Sequence, residues 1–172
     1  LDEDVAEPPI LTAEDMRRFS IAIDMHLSKL RDIVECAQKD VVGAPTLDLS
    51  VFRFTVSPTE IVNRVLFETI GGEGKLKRVW GFDTIHCDAD DAAFIDHDTT
   101  CTTQLEGGEA DAQRIVSSSV AVKYVAPFVS KLQPQKIRLQ SGMNMPFLLT
   151  YPISEKSHFM LLVMARVPDD DD

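Results

Sequence analysis

This chain is poor in the residue types that usually announce a function on their own. It has only three cysteines, Cys36, Cys87 and Cys101. An odd number scattered over 172 residues is no disulfide framework, so reduced thiols in a nuclear or cytosolic compartment are expected. Aromatic residues make up 7% of the chain, with a single tryptophan. Apolar runs are short: the longest, at 159–167, stops at Pro168, well below the roughly 18 residues that span a bilayer. Basic residues are the minority, 17 against 28 acidic, for a net charge of -11. Phosphate binding over the whole surface is therefore excluded, although one basic stripe is not. No G-x-S-x-G elbow is present, and "GGEGK" at 71–75 is too short for a P-loop and lacks the following Ser or Thr. The opening "LDEDVAEPPI" lacks an initiator methionine and a signal core, which suggests a processed or partial chain.

What is present is periodicity. Residues 1–15 are rich in Asp, Glu and Pro and read as an extended linker with an apolar pair at Ile10 and Leu11. From Phe19, strict alternation through Ile21 and Ile23 predicts a half-buried strand. The period then lengthens in "HLSKLRDIVECAQK", where Leu27, Leu30, Ile33, Val34 and Ala37 make one helical face, ended by Gly43 and Pro45. "TLDLSVFRFTV" and "IVNRVLFETI", separated by Ser57, Pro58 and Thr59, predict an antiparallel pair. The second run alternates poorly, which suggests an edge strand at 61–70 awaiting a partner. Short strands are expected near 79–85 and 99–105 within an irregular acidic stretch.

The first pattern then recurs. "RIVSSSV" is extended, "AVKYVAPFVSKL" has helical spacing despite Pro127, and "KIRLQS", "PFLLTYPI" and "HFMLLVMARV" read as strands. Strand, helix, strands followed by extended segment, helix, strands is a duplication of architecture without identity of residues. The class is α+β, an antiparallel sheet with two helices on one face.

The cluster His86, Cys87, Asp88, Asp90, Asp91, His97, Asp98 and Cys101 invites comparison with a metal-dependent enzyme. Its spacing fits neither a paired C-x-x-C zinc site nor a calcium loop, because Ala92 stands where that loop needs glycine. A solvated acidic loop is the plainer reading. Met143, Met145, Met160 and Met164 read as core or gap-filling residues. The lysines of the two helices, by pattern alone, are solvated faces.

From Val120 onward, "AVKYVAPFVSKLQPQKIRLQSGMNMPFLLTYPISEKSHFMLLVMARVPDDDD" resembles the last helix, closing strands and acidic end of the proliferating cell nuclear antigen family of sliding clamps. The Lys-Tyr of the helix, the proline before Phe147, Tyr-Pro-Ile and His158 follow the family's order. "LDEDVAEPPILTAEDMRRFSIAIDM" and "LSKLRDIVECAQ" are similar, less specifically, to the interdomain connector, first strand and first helix of the second clamp domain. The resemblance implies a connector at 1–18, a DNA-clamp (processivity fold) domain at 19–167 with an acidic insertion at about 71–113, and an acidic tail at 168–172.

It further implies a ring, a homotrimer in the nucleus, that encircles duplex DNA without reading sequence and needs no catalytic residue or cofactor. Partners would be DNA polymerases and repair enzymes with clamp-interacting peptides, a clamp loader and other ring subunits, with no membrane. Residues facing DNA would be Lys29, Arg31, Lys39, Lys123 and Lys131. Asp32 and Glu35 depart from the family, which carries arginine there. The partner-peptide groove would take Ile10, Leu11, Pro146, Met164, Ala165, Arg166 and Val167, holding its ligand by β-augmentation. A checkpoint-type or viral clamp subunit is the nearest alternative within the class.

Overall fold

A computed structural model describes residues 12–39, 44–70, 77–84, 86–96 and 113–165. In chain order the elements are α1 (Ala13–Arg18), β1 (Ile21–His26), α2 (Leu27–Lys39), β2 (Thr46–Ser57), β3 (Glu60–Ile70), β4 (Lys77–Thr84), β5 (Ala93–Ile95), β6 (Gln113–Ala121), α3 (Val122–Lys131), β7 (Lys136–Ser141), β8 (Phe147–Pro152) and β9 (His158–Val163). The α+β class holds, with the strands in two sheets where a single one was expected.

The two sheets interlock. One has the order β5-β1-β7-β8-β9 and the other β4-β3-β2-β6. Each half of the chain is a strand, a helix and a three-strand meander: β1-α2-β2-β3-β4, then β6-α3-β7-β8-β9. The first strand of each half leaves its own meander and pairs with the other half's, β1 with β7 and β6 with β2. The duplication seen in the sequence is thus present in the topology, as a pair of units that exchange their leading strands. All pairings are antiparallel except the short β1–β5 ladder.

Periodicity explains the core. Leu27, Leu30, Ile33, Val34 and Ala37 of α2 are all buried, and so are Val122, Val125, Phe128 and Val129 of α3. They meet the inward rows of the sheets, among them Ile21, Ile23, Leu47, Leu49, Phe67 and Leu139, in one continuous cluster. Pro127 is accommodated inside α3. Removing one backbone donor from a ten-residue helix is tolerated because four of its side chains are buried.

Three expectations are corrected. The run at 61–70 is not an edge strand: β3 lies between β2 and β4, paired with both. Its three consecutive apolar residues Val65, Leu66 and Phe67 are all buried, which is what blurred the alternation. Among the described residues the outermost strand on that side is β4. The linker contains a helix, α1, built on a capping box in which the Thr12 N–H donates to Asp15 Oδ2 (2.9 Å) and the Asp15 N–H to Thr12 Oγ1 (3.1 Å). Bonding to the Thr12 backbone holds the Asp15 carboxyl below the usual range. Finally, three residues of the acidic stretch form β5, with Ala93 and Ile95 buried against β1. The expected helix stop at Gly43, the strand at 99–105, most of the proposed insertion and the acidic tail lie outside the described residues.

Candidate functional site

The helix layer. α2 and α3 pack side by side, and Arg31 joins them. Its guanidinium donates to Val129 O (2.7 Å) and Leu132 O (2.8 Å), satisfying carbonyls at the end of α3 that the helix leaves without partners. A cleft of about 400 Å³ runs between the helices, bordered by Arg31, Glu35, Gln38, Lys123, Ser130 and Lys131. Of the five basic residues expected to face one ligand, the cleft brings together Arg31, Lys123 and Lys131. Lys39 is exposed and Lys29 half-buried, both off the cleft. Arg31 has a packing role within the fold that spacing could not reveal, because its acceptors lie about a hundred residues away. Together the two helices carry five basic and two acidic side chains, a surplus opposite in sign to the chain's net charge of -11.

The outer face. Ile10, Leu11, Arg166 and Val167 lie outside the described residues. The other three residues expected to form a groove are placed. Pro146 is half-buried just before β8, Met164 is 67% exposed and Ala165 half-buried just after β9. Beside them Phe19, Met145, Leu148 and Leu162 form a small second core on the side of the sheet away from the helices. The turn at 142–146 anchors it. A Cβ on Gly142 would come within 2.4 Å of Arg18 O, so only glycine lets the end of α1 approach so closely. Asn144 takes a positive φ of 54° and donates its N–H to Ser117 O (2.9 Å), tying the turn to β6. Ser118 Oγ donates to Met145 O, and Ser141 Oγ to Pro146 O (3.2 Å). α1 is thereby fastened to the same part of the sheet as Pro146.

Methionine was misread from the sequence. Of the four expected in the core, Met145 alone is buried, at 7% exposure, while Met143, Met160 and Met164 are exposed, as is Met16 of α1. Thioether side chains are adaptable and suit a surface that accepts more than one partner.

The acidic loop. His86 Nδ1 lies 3.3 Å from Asp91 Oδ2, and Asp88 Oδ1 accepts the N–H groups of Asp90 (3.0 Å) and Asp91 (2.7 Å). Cys87 points the other way, into the core. Burial, reinforced by the charge of Asp88, pushes its thiol up to about 12. The group that would ligate a metal as thiolate is thus held protonated. No group of three potential ligands occurs among the described residues, and His97, Asp98 and Cys101 lie outside them.

No family model, curated protein or solved structure matches the chain.

Proposed function

We propose that this protein belongs to the class of ring-forming processivity factors, which hold other proteins on duplex DNA by topology. Within that class the reading is a sliding clamp of the proliferating cell nuclear antigen type, with this chain corresponding to the connector and second domain. The observation that carries it is the positive surplus on the two helices of a strongly acidic chain. A surface of that kind slides along phosphates without reading bases, while the acidic remainder disfavours adhesion elsewhere. The interlocked duplication supports it as well, since it places the two helices side by side in one layer. Partner enzymes would dock on the outer face at Pro146, Met164 and Ala165, continued by Ile10, Leu11, Arg166 and Val167. The reading includes no catalytic group.

Titration of a fluorescent peptide bearing a clamp-interaction (PIP-box) motif tests it. The expected result is saturable binding, weakened at least tenfold in Val167→Asp and in Met164→Asp. Absence of binding, or equal binding by both variants, would sink the proposal at its main point.

A further inference from the structure

The turn between β2 and β3 belongs neither to the helix layer nor to the face around Pro146 and Met164. β6 pairs with β2 only as far as Arg53, and β4 with β3 only as far as Asn63. Among the described residues the end of the hairpin, 54–62, is therefore a two-stranded ribbon with no third strand on either side. Such a ribbon holds itself weakly in water. Val56 is 63% exposed and Ile61 48%, so apolar packing does not fasten it to the core. The ladder is irregular between Thr55 and Ser57, and Ser57 with Glu60 is its last pair. An end with so few buried contacts opens locally at low cost.

The turn itself is made by Pro58 and Thr59, both exposed. Ser57-Pro58 is the one place in the 172 residues where a serine or threonine precedes proline. Proline has no N–H, and it holds the residue before it extended. Ser57 is extended accordingly, as the last residue of β2. An extended serine followed by a residue without an N–H is the form that proline-directed protein kinases select. The Ser57 hydroxyl is held only by local contacts. Its Oγ lies 3.4 Å from Thr59 Oγ1 and accepts the Thr59 N–H at 3.4 Å, both long for hydrogen bonds. Giving them up to another partner costs little.

We propose that Ser57 is a phosphorylation site for a proline-directed serine/threonine kinase, presented by the isolated end of the β2–β3 hairpin. In the transfer, Ser57 Oγ bonds the γ-phosphorus of ATP while that atom's bond to the bridging oxygen breaks. The hydroxyl proton goes to the kinase's catalytic carboxylate, and ADP leaves. The product carries a charge of about -2 directly across the ladder from Glu60, and like charges so placed repel. The arginines along the ribbon already have partners: Arg64 is bound to Asp83 (2.7 Å) and Arg53 Nε donates to Asn63 Oδ1 (3.2 Å). Phosphorylation therefore loosens the hairpin end and leaves a dianion displayed there. The proposal goes beyond the clamp reading and does not depend on it.

The test treats the folded full-length chain with ATP, Mg²⁺ and either of two proline-directed kinases, one cyclin-dependent and one mitogen-activated, and locates phosphate by mass spectrometry of digested samples. One phosphate is expected, on Ser57. Pro58→Ala and Ser57→Ala should each lower incorporation at least tenfold, whereas Thr59→Ala should keep it. In the phosphorylated protein, amide hydrogen exchange across 59–62 should quicken at least fivefold while the circular dichroism spectrum stays native. Absence of incorporation by both kinases overturns the proposal, as does phosphate on Thr59 or a rate indifferent to Pro58→Ala. Incorporation confined to heat-denatured protein overturns it too, because the motif would then be closed in the fold.

Discussion

Cys36 and Cys87 show how little a residue's identity says before its surroundings are known. Both were expected to be reduced thiols, and both are free. Cys36 sits half-buried on α2 with an Arg78 Nη1 contact at 3.9 Å, while Cys87 is held in the core. Iodoacetamide at pH 8 should therefore label Cys36 at least ten times faster than Cys87 in the native protein, by mass spectrometry of digested samples. Equal rates would mean that Cys87 is accessible. The sign of the pH effect follows from the same burial. The thiol's ordinary value is 9.0 and the folded value about 12, so the unfolded chain loses this proton first. The contribution of Cys87 to stability is then fully present below pH 9 and declines as the pH rises toward 12. Charged pairs follow a similar logic of placement. Arg138 forms two bonds to Asp24 across the β1–β7 register, at 2.8 and 3.0 Å, and bonding to that carboxylate raises the arginine above its ordinary value.

At the level of elements, the helices and most strands could be read from periodicity because each buries one row of side chains. α2 buries the apolar positions its spacing predicted, and α3 buries Val122, Val125 and Val129 at helical spacing together with Phe128, while Leu132, which the spacing also takes in, is half-buried just past the helix end. α1 was missed because a helix of six residues has no buried stripe to announce it, only the Thr12 and Asp15 cap. β5 was missed because Phe94 between its two buried residues is exposed, and three residues give no measurable period. Arg31 illustrates a role that appears only when elements meet. Arg31→Ala should destabilise the fold by about 1–2 kcal/mol, the scale of two charge-assisted bonds lost at a half-buried site. Urea denaturation measures that cost. An unchanged midpoint would show that the side chain does not hold α3 and is available to other ligands.

For the whole molecule, the distribution of charge matters more than its sum. A net charge of -11 argues against indiscriminate adhesion to nucleic acid, while the helix layer keeps a local positive surplus. Under the clamp reading, Lys123→Glu and Lys131→Glu should each weaken retention on circular duplex DNA and lower the dependence of log K on log salt by about 0.9. Peptide binding on the other side of the sheet should be unaffected. Loss of DNA retention without a change in salt dependence would point to a disrupted ring instead of lost phosphate contacts. The candidate site was only partly legible. Pro146, Met164 and Ala165 were named through the resemblance, whereas the exposure of Met16, Met143 and Met160 could not be read, since an exposed and a buried methionine look alike in a sequence.

Local order was determined by the sequence alone: the spacing of apolar residues set which stretches are helix and strand, and their repetition set the two-unit plan. Those features depend on neighbours a few residues apart, so they are written in the chain directly. Tertiary structure decided the rest. Only folding showed that the units exchange their first strands, that β3 is interior between β2 and β4, and that Arg31 is bound to α3. Each of these depends on which distant segments share a ladder or a groove. That choice minimises exposed apolar surface and unpaired backbone over the whole molecule, so no single stretch of the chain contains it.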